Sequence, residues 1–89
     1  MFIEALADGA VACGLPRDKA LRYAAHTLQG TAKLLLESGK HPGQLKDEVC
    51  SPGGSTIQGV KALEDGSLRA TVISAVQAAH ARNRELGKA

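Results

Sequence analysis

The residues best suited to chemistry lie together in Cys50-Ser51-Pro52-Gly53-Gly54-Ser55-Thr56, the one strongly irregular stretch of the chain. Proline stiffens the entry, while two glycines open backbone angles closed to other residues and leave no side chain in the way. Ser55 and Thr56 follow where helical spacing resumes, so they open a helix. The first N–H groups of a helix have no internal partner, and the helix dipole adds partial positive charge there. Such a terminus holds a small anion, and Ser51, Ser55 and Thr56 can add hydroxyl donors. No Lys or Arg lies within the loop, so it suits a carboxylate or a single phosphate better than a polyphosphate. The charge–dipole part is worth roughly 0.3–1 kcal/mol when exposed and up to about 2 when partly buried. The Gly-Lys-Ser/Thr ending of a Walker loop is missing, and no strand precedes the stretch as a dinucleotide fingerprint requires. On spacing alone, a plain turn between helices with a serine or threonine cap accounts for the same residues, and both readings stand.

Other groups offer less. His26, His41 and His80 with Cys13 and Cys50 fit no zinc spacing, so no metal site is expected. The histidines read as surface or helix-end residues, with His26 close enough to an apolar stripe to be partly buried. Glu4 and Asp8 sit one helical turn apart, as a carboxylate pair would, but an exposed acidic face is the simpler reading. Arg82 and Arg84 complement the dipole at the end of the last helix. The two cysteines belong to no CxxC pair and read as reduced thiols of a cytoplasmic protein.

The elements around these residues are helical throughout. Phe2, Ile3, Leu6, Ala7, Ala10 and Val11 repeat at three and four residues, one face of a helix that Gly14 ends. This pattern is already running at Met1 with no capping residue before it, which predicts that the true start lies upstream, in a longer chain. Pro16 belongs to the first turn of a second helix, with Asp18 near its positive end, running to about Ser38 before Gly39. Its buried face is expected to be Ala20, Leu21, Ala24, Ala25, Leu28, Thr31, Ala32 and Leu35. Gly30, inside this helix, costs on the order of 1 kcal/mol relative to alanine, which predicts close contact with another helix. Pro42 to about Val49 forms a short helix, Ser55 to Glu64 another, and Asp65-Gly66 breaks the chain. Ser67 is a candidate cap for a last helix carrying Leu68, Val72, Ala75, Val76, Ala79 and Leu86, with a frayed tail from Gly87. The expected fold is all-α, with four to five helices.

Eighty-nine residues suit a single domain, 1–89, with a thin core that a partner subunit would complete. The hydrophobic fraction of 44% is too high for a disordered chain. Phe2 and Tyr23 are the only aromatics, so alanine, leucine and valine must fill the interior and let helices approach closely. A net charge of +2 without a basic stripe, and so few rings to stack on bases, gives nucleic-acid binding little support. No apolar run is long enough to span a bilayer, and the residues after Met1 do not read as a signal peptide.

From Pro42 to Glu64 the chain reads PGQLKDEVCSPGGSTIQGVKALE. This segment resembles the signature of the pyrroline-5-carboxylate reductase family over its whole length. Pro42, Leu45, Val49, Cys50, Ser51, Gly53-Gly54, Thr56, Gly59-Val60, Leu63 and Glu64 each occupy a position of the kind the pattern asks for. Glu4 to Gly9 and Gly14 to Arg17 are similar to the family's first two long helices and their junction, so the resemblance covers essentially all 89 residues. It implies an enzyme that reduces 1-pyrroline-5-carboxylate to L-proline with NADPH or NADH, the last step of proline synthesis. It also implies a Rossmann domain, absent here, that holds the cofactor, and helices that interlock two subunits into an intertwined homodimer, with a higher oligomer left open by the sequence. Carried onto this chain, the resemblance assigns the substrate carboxylate to Ser51 and to the backbone N–H groups of Gly54, Ser55 and Thr56. It places the Thr56 hydroxyl near the ring nitrogen, to orient the imine or pass on a proton. Ser55 stands where many relatives have alanine and Cys50 where many have serine, and neither exchange disturbs backbone contacts. Without the Rossmann domain the segment is expected to be inactive alone. The alternative is a non-catalytic helical dimerisation or interaction module whose PGGST loop is only a turn.

Overall fold

Helical spacing, punctuated by glycine and proline, gives five helices in the computed structural model of the chain, which describes residues 1–88. They are α1 (Phe2–Ala12), α2 (Arg17–Ser38), α3 (Pro42–Val49), α4 (Ser55–Asp65) and α5 (Leu68–Lys88), with no strand among the described residues. Although the length suits one domain, contacts within the chain group it into two compact units, residues 1–45 and 46–89.

In the first unit, α1 ends in a Schellman motif. The Leu15 N–H donates to the Ala10 carbonyl (3.0 Å) and the Gly14 N–H to that of Val11 (2.9 Å), with Gly14 at φ 108°. Pro16 lies one residue outside the expected first turn. Its ψ of 144° is extended, so it caps the helix, its carbonyl accepting the Ala20 N–H at 2.9 Å. Gly39, left-handed at φ 67°, closes α2. Pairing of α1 with α2 buries Ala7, Ala20 and Ala24, with Ala10, Val11 and Leu15 packed against them. Methyl-sized side chains let the two backbones close together, as the composition predicted. An ion pair between Arg17 and Asp8 ties α2's first residue to α1, so Asp8 is a structural partner rather than half of a carboxylate pair.

The expected buried face of α2 is mostly uncovered. Leu28 and Leu35 are half-buried, but Leu21, Ala25, Thr31 and Ala32 are exposed, Leu21 at 49%. On α1, Phe2, Ile3 and Leu6 are likewise exposed. A stripe wider than one neighbour helix cannot be covered by that neighbour. Gly30 shows the same deficit: a methyl group added there would meet nothing within 4 Å, so the described residues do not supply the expected close contact. His26 is exposed rather than partly buried. His41 sits at the start of α3, its Nδ1 accepting the Gly43 N–H at 3.0 Å.

In the second unit, α4 passes to α5 through Gly66 and Ser67. The Gly66 N–H donates to the Ala62 carbonyl (3.1 Å), and the Arg69–Glu64 ion pair (2.9 Å) spans the joint. Ser67 does not cap α5 with its hydroxyl, which has no hydrogen-bond partner among the described residues. Its backbone is left-handed at φ 61°, and its carbonyl takes the Thr71 N–H at 3.0 Å. Of the predicted apolar face of α5, Leu68 is half-buried while Val72, Ala75, Val76, Ala79 and Leu86 are exposed. Helix α5 continues past the expected fraying at Gly87 to Lys88, and Ala89 lies outside the described residues.

Candidate ligand-binding site

Three residues set the geometry between α3 and α4. Pro52 enters the turn, Gly53 takes a left-handed φ of 68°, and Gly54 returns to extended backbone (φ −80°, ψ 175°) as the N-cap of α4. The turn closes on itself: the Gly54 N–H donates to the Ser51 carbonyl at 3.0 Å. Of the three amides expected to face a ligand, that of Gly54 is therefore engaged by the turn. The amides of Ser55 and Thr56, at the first two positions of α4, have no acceptor among the described residues. The hydroxyls of Ser51, Ser55 and Thr56 are also without hydrogen-bond partners there, and no side chain caps the helix. Both Ser55 and Thr56 are exposed.

Five donors thus cluster at the positive end of an 11-residue helix: two amides and three hydroxyls. The nearest basic side chain on α4, Lys61, is paired with Asp65 at 2.8 Å. The chemistry on offer is neutral donation to one small anion, strengthened by the dipole. In the turn-only reading these exposed donors are satisfied by water.

A second feature lay outside the sequence reading. A shallow groove of about 320 Å³ opens between α1 and α2, bordered by Leu6, Gly9, Ala10, Cys13, Tyr23 and Thr27. Its signal was present in the small residues spaced a turn apart on both helices, Gly9 with Cys13 and Ala20 with Ala24, which leave room where larger side chains would close the seam. Cys13 and Cys50 are both free thiols, and among the described residues no three His, Cys, Asp or Glu side chains are grouped to hold a metal. No described helix is long and apolar enough to cross a membrane.

A family model described as pyrroline-5-carboxylate reductase dimerisation matches residues 1–86. The chain belongs to this family. It is 58% identical over 98% of its length to pyrroline-5-carboxylate reductase 3 of Macaca fascicularis, covering 32% of that protein. To the pyrroline-5-carboxylate reductase of Escherichia coli (strain K12) it is 51% identical over 99% of its length, covering 33% of it. The crystal structure of Plasmodium falciparum pyrroline carboxylate reductase with NADP bound superimposes with a TM-score of 0.82 at 39% identity, over 86% of this chain and 29% of that one. The chain therefore spans about a third of the length of the reductases it matches. The match bears out the resemblance carried by Pro42 to Glu64, and the PGGST turn falls inside it. Among the described residues there is no strand-to-helix crossover of the kind that cradles a dinucleotide in a Rossmann fold.

Proposed function

We propose that this chain is the subunit-pairing and substrate-gripping portion of a reductase that converts 1-pyrroline-5-carboxylate to L-proline. The family match over residues 1–86 carries this reading. The open donors at the start of α4 and the uncovered apolar faces of α1, α2 and α5 support it. In this reading the Ser55 and Thr56 amides and the Ser51 hydroxyl donate to the substrate carboxylate, and Gly54 forms the turn that brings them together. The Thr56 hydroxyl lies beside the ring nitrogen, where it orients the imine and passes a proton to it as the adjacent carbon is reduced. NADPH or NADH is held by the remainder of the enzyme, and the chain alone is inactive. Residues 1–89 act as one domain in the cytoplasm, and two copies lay their apolar faces together as a homodimer.

The test is a chimera in which this chain replaces the matching third of the Escherichia coli reductase. Consumption of NADPH with 1-pyrroline-5-carboxylate at a rate within about tenfold of the parent, a difference of ~1.4 kcal/mol in barrier, is the expected result. A folded, paired chimera without activity would leave the chain as a pairing module and overturn the substrate role.

A further inference from the structure

The two glycines of the turn are glycines for different reasons. Gly53 is dictated by its backbone: at φ 68° a side chain is strained, although a Cβ there would meet nothing within 4 Å. At Gly54 the opposite holds. Its φ of −80° and ψ of 175° suit any residue. A Cβ at that position, however, would lie 2.5 Å from the Ser51 Oγ, 3.3 Å from the Ser51 carbonyl oxygen and 3.7 Å from the Ser51 Cβ. The first distance is impossible for real atoms and the third is ordinary contact. The space beside the Gly54 Cα is thus filled by the hydroxyl of Ser51.

We infer that Gly54 is a positioning residue, whose missing side chain forms the seat that holds the Ser51 hydroxyl beside the first open amides of α4. The inference rests on reading this turn as the carboxylate site. The Ser51 carbonyl is fixed by its 3.0 Å bond from the Gly54 N–H, so the backbone of Ser51 cannot retreat without breaking the turn. The Ser51 side chain has no hydrogen bond holding it elsewhere. Adding a methyl group at residue 54 therefore evicts the hydroxyl by rotating χ1, and the ligand loses one donor while the Ser55 and Thr56 amides remain. Chemistry at the ring nitrogen, two residues further along at Thr56, is left in place.

A double-mutant cycle in the chimera tests this. Gly54→Ala is expected to raise KM for 1-pyrroline-5-carboxylate about tenfold, the loss of one hydrogen bond to a charged group, with kcat changed less than about twofold. In a Ser51→Ala background the 2.5 Å conflict is gone, and adding Gly54→Ala is expected to shift KM by less than about twofold. An equal rise in both backgrounds would overturn the inference. A second measurement needs no activity: NMR scalar couplings of Ser51 in the 89-residue chain report its χ1. A changed rotamer on Gly54→Ala is expected, and an unchanged one refutes the seat. An inactive unmutated chimera would count against the proposed function alone, because the rotamer still decides the role of Gly54.

Discussion

At the residue scale, the candidate site is a set of open donors, and each has a separate consequence. Thr56 carries both an amide, which survives any substitution but proline, and a hydroxyl, which does not. In the chimera, Thr56→Ala is expected to lower kcat by about tenfold to a hundredfold, within the range of a lost proton-transfer partner, with a smaller change in KM. Thr56→Ser retains the hydroxyl and is expected to restore most of the rate; steady-state kinetics of both variants check the assignment. How far these residues were legible follows from what each one depends on. A proline, two glycines and two hydroxyl residues before an apolar repeat are local signals, so the turn and the first turn of α4 could be read from sequence. Engagement of the Gly54 amide could not, because the 3.0 Å bond to Ser51 depends on how tightly the turn closes. Nor could the seat of the Ser51 hydroxyl, which depends on a rotamer.

Elements obey their own limits. All five helices fall where periodicity and glycine place them, to within a residue or two, because glycine and proline mark their boundaries locally, as Gly14 and Gly39 do. What failed was the role of Ser67. A serine before an apolar repeat has the composition of a hydroxyl cap, but the joint with α4 forces its backbone to φ 61°. Since glycine meets no Cβ penalty there, Ser67→Gly is expected to leave stability unchanged or raise it by up to about 1 kcal/mol, measured by urea unfolding. The seam between α1 and α2 makes the opposite demand. Ala20, 1% exposed, lies in the seam where α1 and α2 approach closely, and Ala20→Leu is expected to cost about 1–3 kcal/mol in the same experiment by forcing the helices apart.

For the whole molecule, sequence alone overestimated what one copy can bury. Helical periodicity marks which residues prefer to leave water, not whether the same chain covers them, and this explains why Leu21, Val72 and Val76 read as core yet stand exposed. Gly30 belongs with them, since the described residues leave open space beside it. A second copy is the proposed cover. Sedimentation of the 89-residue chain is expected to show a dimer at micromolar concentration, with a melting temperature that rises with protein concentration. A monomer whose melting is independent of concentration would contradict the proposal.

The seam of Ala7, Ala20 and Ala24 has a kinetic meaning as well. A contact closed by three methyl groups gives a newly made chain little reason to stay shut while it is alone. Its lasting shape would then be reached by encounter rather than by waiting, and recovery of folded material on dilution from urea would improve, not worsen, as more chains are present to find one another.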